Sequence, residues 1–334
     1  MGVSLWFDGC FDGFHYAHAN AVRQALYLIE GEQNPRILVG VHSDKAILKN
    51  KGPPLFDETE RYNLIRGCRW IDEVVENVPY VTRFDVTRGH NIDFVVHGDD
   101  IVLDAEGNDC YAAFKAAGKY RECKRTEGIS TTSLIERIMR PDEWATAPTD
   151  DTRLGTLIDL FVASIPHPYP VLRYDRLSSD ECCIIRQRWP PQKKIVYLGG
   201  SWDCFGAGHV ELLRQAKNIT EPENTLLVVG VWSDQVLHDR TGGRPLLTLL
   251  ERALAIIQCK YTDAVILSPP VTLTEQFADS IGIELIVNSD HPSKNKGVQH
   301  VHIHEPPLQD IASLREKLLA RRELYEERQR RKGA

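Results

Sequence analysis

Two histidines spaced three apart, His15 and His18 in His15-Tyr16-Ala17-His18, are the residues of this chain best suited to chemistry. They follow an apolar run, Val3 to Phe7, through the turn Asp8 to Asp12, and they lead into a predicted helix from Ala19 to Glu30. This spacing puts two imidazoles on one helix face, one turn apart. The unpaired N–H groups and the positive dipole end of that helix favour an anion at the same spot. Imidazoles placed there can donate hydrogen bonds to phosphate oxygens as charge develops on them. The same spacing would also serve two core histidines or two metal ligands, and these four residues alone leave all three readings open.

The surrounding motifs narrow the choice. In order along the chain come Asp8-Gly9-Cys10-Phe11-Asp12, Lys51-Gly52, Glu60-Arg61-Tyr62, His97-Gly98-Asp99-Asp100 and Arg125-Thr126-Glu127-Gly128-Ile129-Ser130-Thr131-Thr132. This ordered set resembles the cytidylyltransferases, whose signatures are HxGH and RTxGISTT. Ala17 stands where that family has glycine, so a methyl group lies near the closest phosphate approach. The resemblance implies transfer of CMP from CTP, carried with Mg2+, onto a phosphomonoester. It implies His15, His18, Lys51 and Arg125 as the groups that neutralise the reacting phosphates. It implies nucleotide contacts from Gly9, Cys10, Phe11, Arg61, Asp99, Asp100, Thr126, Ser130, Thr131 and Thr132. A helix-surface salt bridge is the rival reading for Arg61. Ser133 with Glu136 has the spacing of a capping box for a helix from Ser133 to Arg140.

Positioning these groups requires a scaffold, and the sequence carries one twice. A shift of 191 superposes Asp12 on Asp203, His18 on His209, Glu60-Arg61 on Glu251-Arg252 and Cys68 on Cys259. In each copy short Val/Ile/Leu runs alternate with amphipathic stretches: Val3–Phe7, Ile37–His42, Val74–Asn77 and Asp93–His97, then Ile195–Leu198, Thr225–Val231, Ala264–Leu267 and Glu284–Asn288. Such runs predict parallel strands buried on both faces and joined by helices. The expected fold is α/β, with two Rossmann-like doubly wound domains in tandem. The expected boundaries are residues 1–140, a linker at 141–192 that is irregular apart from a short helix at Thr156–Ala163, and residues 193–334. The last includes a charged C-terminal helix, Leu308 to Lys332, packing through Leu308, Ile311, Leu314 and Leu318.

The second copy has lost its phosphate-handling residues. Gly206 replaces His15, Gly242 replaces Lys51, and no RTxGISTT follows. We therefore expect catalysis in the first repeat only. His300, His302 and His304 alternate as on one strand face, without an evident carboxylate or cysteine partner, and no metal site is assigned to them.

Tandem domains in one chain resemble the ethanolamine-phosphate branch of the cytidylyltransferases, which implies phosphoethanolamine as the second substrate. Asp8 would bind its ammonium. Choline enzymes hold a quaternary ammonium in an aromatic cage; here Tyr80 supplies one wall, but Val102-Leu103 occupy the other place. Phosphocholine or glycerol 3-phosphate as substrate, or a non-enzymatic nucleotide sensor, are the alternatives.

A net charge of −7 argues against a nucleic-acid partner. No apolar run approaches the roughly 20 residues of a membrane span, and no signal-peptide pattern opens the chain. Eight cysteines without CxxC spacing suit a reducing compartment. A cytoplasmic location is expected, and a homodimer is allowed for.

Overall fold

The computed structural model describes residues 2–104, 106–174, 182–186, 193–219, 221–288 and 298–325. In chain order the first repeat forms β1 (Ser4–Gly9), α1 (Tyr16–Ala25), β2 (Arg36–His42), α2 (Asp44–Asn50), α3 (Glu58–Arg66), β3 (Glu73–Val78), α4 (Phe84–Gly89), β4 (Phe94–Gly98), α5 (Ala112–Ala116), β5 (Tyr120–Cys123) and α6 (Thr131–Met139). There follow α7 (Pro141–Thr146), α8 (Asp151–Ala163), β6 (Val171–Tyr174) and β7 (Cys182–Arg186). The second repeat continues with β8 (Lys194–Gly200), α9 (Ala207–Lys217), β9 (Thr225–Val231), α10 (Asp234–Thr241), α11 (Leu249–Ile257), β10 (Ala264–Leu267), α12 (Glu275–Ile281), β11 (Ile283–Asn288), β12 (Gln299–His302) and α13 (Ile311–Ala320).

The first unit is a parallel sheet in the order β3-β2-β1-β4-β5. Its central strands are apolar on both faces: Trp6, Leu38, Val39 and Val95 are fully buried under helices on either side. The strand order reverses at the β1/β4 pair. A crevice opens beyond the carboxyl ends of strands at such a point. His15 and Asp99 stand just beyond the ends of these two strands.

The second unit repeats the pattern as β10-β9-β8-β11-β12 and extends it beyond β10 with β6 and the antiparallel β7. The stretch expected to be an irregular linker therefore contains two helices and two strands. The prolines explain the difference. Pro141 occupies the first turn of α7, where its missing N–H leaves no bond unmade. Residues 149–165 are proline-free, so α8 is longer than the expected Thr156–Ala163; it buries Leu154, Leu157, Ile158, Phe161 and Val162, with Asp150 accepting from the Arg153 amide at its start. Pro168 and Pro170 sit just before β6.

The C-terminal helix also departs from expectation. It is shorter, its packing face is Leu314 and Leu318, and Leu308 is exposed. It packs on α6, so it belongs to the first unit and not to the second. Residues 326–332 of the expected helix lie outside the described residues, as does Asp290, the counterpart of Asp99. Among the described residues no helix is long and apolar enough to cross a membrane.

Candidate active site

The crevice at the β1/β4 switch is a cavity walled by Asp8, Gly9, Cys10 and Phe11 from the β1–α1 turn and by His15 and His18 from α1. Lys51, Tyr80, Asp100, Arg125, Thr126, Ser130 and Thr131 also line it. All thirteen were expected from sequence. Arg61, Asp99 and Thr132 do not line it.

The turn is built for close approach. Phe11 holds a left-handed φ of 46°, and a Cβ at Gly9 would meet its ring at 3.3 Å. Trp202, the counterpart of Phe11, repeats the strain at φ 57°. The His15 amide, at the start of α1, donates to Nδ1 of His18 at 3.3 Å. Nδ1 being an acceptor, the neutral imidazole of His18 carries its proton on Nε2 and can donate from there. The two rings stack at 3.9 Å between centroids. Burial, then the neighbouring His18 and the guanidinium groups of Arg137 and Arg125, hold the His15 pKa well below the usual imidazole range. His15 is therefore neutral at pH 7 and sits in a positive field. Both of its ring nitrogens are buried without a hydrogen-bond partner among the described residues.

α1 also fixes the RTEG segment. Asn20, itself oriented by Arg23 at 2.7 Å, donates to the Thr126 hydroxyl at 2.8 Å, and Gln24 bonds both the amide and the carbonyl of Lys124. Asp99 accepts from the Arg125 amide at 3.1 Å, and the Arg125 guanidinium approaches Asp100 at 3.4 Å. Asp99 is thus a support of the loop and not part of the cavity wall. The α6 N-terminus is closed by a reciprocal pair, Ser130 and Ser133, in place of the expected Ser133–Glu136 box. Thr131 donates to the Asp12 carbonyl at 2.8 Å, and Thr132 lies on α6 off the wall.

Arg61 is a brace. It is fully buried and donates to the Cys10 and Phe56 carbonyls and to Asp44 at 2.8 Å. Arg252 makes the matching set with Ser201, Leu247 and Asp234 in the repeat that has lost the phosphate-handling residues. A contact that persists where those residues are missing holds the fold. His209 follows the same logic: its Nδ1 accepts the Gly206 amide at 3.2 Å, as His18 does in the first repeat.

The deep end of the cavity was less visible from sequence. Asp8 is 3% exposed and accepts hydrogen bonds from the Tyr111 hydroxyl at 2.7 Å and from Thr82. Burial and the Asp8 carboxylate raise the Tyr111 pKa well above the usual phenol value, so Tyr111 stays a donor. His42 and His97 flank this carboxylate, both lowered by burial. The Tyr80 ring lies 5.0 Å from that of His42, and Val102 faces the same space. His97 stood in the His-Gly-Asp-Asp motif and His42 at the end of a strand run; Thr82 and Tyr111 carried no signal. Lys51 approaches the Cys10 sulfur at 3.9 Å. Among the described residues no three or more His, Cys, Asp or Glu side chains gather as a metal site.

The cytidylyltransferase-like family profile matches residues 6–137 and 197–327, one match per repeat. The chain is 38% identical over 293 residues to the ethanolamine-phosphate cytidylyltransferase of Dictyostelium discoideum, covering 86% of this chain and 79% of that one. It is 35% identical over 279 residues to the Saccharomyces cerevisiae enzyme of that name, covering 82% of each. Similarity to choline-phosphate cytidylyltransferase 2 of Arabidopsis thaliana is 41% over 140 residues, but spans only 41% of this chain and 45% of that one. With both repeats matched and the tandem relatives aligned over most of their length, the chain belongs to the ethanolamine-phosphate cytidylyltransferase family.

Proposed function

We propose that the first repeat transfers CMP from CTP to phosphoethanolamine, giving CDP-ethanolamine and pyrophosphate, and that the second repeat does no chemistry. A phosphoethanolamine oxygen attacks the α-phosphorus of CTP. The bond from that phosphorus to the bridging oxygen breaks, and pyrophosphate leaves with the electron pair. No covalent enzyme intermediate is needed, so the task is alignment and charge stabilisation.

His18 donates through Nε2 to the phosphate undergoing attack, with neutral His15 stacked behind it. Lys51 and Arg125 flank the triphosphate, and the α6 N-terminus faces it beside Ser130 and Thr131. Asp100, at the cavity wall, is the carboxylate that would help hold a Mg2+ brought by CTP, which when bound would neutralise charge on the leaving pyrophosphate.

The observation that carries the choice of acceptor is the buried Asp8 carboxylate at the deep end. A primary ammonium can donate to it directly, whereas a trimethylammonium cannot and would need a fuller aromatic cage than Tyr80 supplies. Pyrophosphate release from CTP should be compared with phosphoethanolamine, phosphocholine and glycerol 3-phosphate as acceptors. The reading fails if phosphoethanolamine does not give the highest kcat/KM.

A further inference from the structure

The segment just after Lys51 is held on both of its faces. The amides of Leu55 and Phe56 donate to the Asp12 carboxylate at 2.9–3.0 Å. The carbonyls turn the other way and meet the C-terminal segment of the chain. Leu55 accepts from the Lys317 ammonium, and Pro54 accepts from the Tyr325 hydroxyl at 2.9 Å. Tyr325 is 4% exposed. Between Lys51 and this segment stands Gly52, at a φ of 101° that favours glycine, and the amides of both Lys51 and Gly52 donate to the Ile47 carbonyl of α2. The root of Lys51 is thus set by α2 on one side and by this doubly held segment on the other.

The second repeat repeats the device with a different aromatic. The amides of Leu246 and Leu247 donate to Asp203 at 2.8 Å. Pro245, which the shift of 191 superposes on Pro54, accepts from Nε1 of Trp144 at 2.8 Å. Trp144 stands five residues beyond the end of α6, and Tyr325 five beyond the end of α13. The aromatic that follows the first repeat therefore closes the loop of the second, and the one that follows the second closes the loop of the first. In the second repeat the closed loop carries Gly242 where the first carries Lys51.

We propose that Tyr325 and Lys317 are positioning residues for the reaction: the C-terminal segment, which follows the second repeat in sequence but belongs to the first unit, seats the loop that roots Lys51. The inference rests on the reading that Lys51 acts on the reacting phosphates. A lysine ammonium on a four-carbon stem works at a fixed point only if its backbone root is fixed, and a misplacement of about 1 Å can cost up to about 100-fold in rate.

The test is a double-mutant cycle on the full-length chain with Lys51→Ala and Tyr325→Phe, which removes one hydroxyl and keeps the ring. Lys51→Ala alone should lower kcat; unchanged kcat would overturn the reading of Lys51 itself. Tyr325→Phe should lower kcat about 10-fold in the wild-type background, with KM for CTP little changed. In the Lys51→Ala background it should cost less than about 2-fold, because the group it positions is gone. An equal loss in both backgrounds, or no loss in the wild type, overturns the proposal. Lys317→Met should behave like Tyr325→Phe and Lys317→Arg should recover the rate; equal rates for the two would count against it. Trp144→Phe, which breaks the matching contact in the second repeat, should leave kcat unchanged.

Discussion

The backbone N–H of His15 donates to Nδ1 of His18, so an imidazole that lines the cavity also closes the first turn of its own helix. One side chain carries a structural bond on one nitrogen and keeps the other for the chemistry proposed above. His209 keeps only the first of these bonds.

His18→Ala and His209→Ala should therefore separate the two roles. Each loses a capping bond, on the order of 1 kcal/mol of stability. Only His18→Ala should also lose about 100-fold or more in kcat, the usual scale for a donor aimed at transition-state charge. Chemical denaturation and steady-state kinetics on both variants check this. Comparable loss of activity in folded His209→Ala would mean that the second repeat is catalytic.

Arg61→Ala should act as a stability mutation. The guanidinium is buried and satisfies two carbonyls and Asp44, so its removal should cost on the order of 3 kcal/mol. Arg252→Ala should cost a similar amount. A variant of Arg61 with normal melting temperature and a raised KM for CTP would restore the nucleotide-contact reading.

Acid should destabilise the chain before its carboxylates titrate. Burial lowers the pKa of His15, His42 and His97, and takes His209 down to about 4. The unfolded chain binds protons at these groups below about pH 6.5, where the folded chain does not. The stabilisation is therefore complete above that pH and is lost as pH falls toward 4, with up to about 1.4 kcal/mol per pH unit from each group. Unfolding free energies at pH 7 and pH 5 should show a shallower decline in His209→Gln than in the wild type. Parallel declines would exclude this origin.

Acceptor choice should respond to the deep end of the cavity. Asp8→Asn removes the charge that faces the ammonium and should raise the KM for phosphoethanolamine at least about 10-fold, while altering the KM for CTP less. Val102→Tyr adds a second aromatic wall beside Tyr80 and should improve kcat/KM for phosphocholine relative to phosphoethanolamine. An unchanged ratio in both variants would place the ammonium elsewhere.

The duplication, the parallel strands and most of the cavity wall were legible because each leaves a pattern along the chain: a constant shift, apolar runs, long motifs. For Arg61 the motif records which residue is present and not where its guanidinium points, which is to the Cys10 and Phe56 carbonyls and Asp44. Asp99 lay beside Asp100 in one motif, yet only Asp100 reaches the wall. Thr82 and Tyr111 come from stretches without periodicity, and only the fold brings them to Asp8. Proline density in 141–192 predicts irregular structure, although proline at a helix start or just ahead of a strand disrupts nothing. The placement of α13 could not be read, since its apolar face suits either of two similar domains.

The crossed closure of the two loops also constrains how such a chain can change. Once each copy is closed by a residue encoded beyond the other, substitution can erase the second copy's histidine and lysine at little cost, but truncation from the second copy onward takes Lys317 and Tyr325 with it. Selection on an active site in the first repeat would then reach residues encoded past the whole of the second, and hold the end of the chain in place.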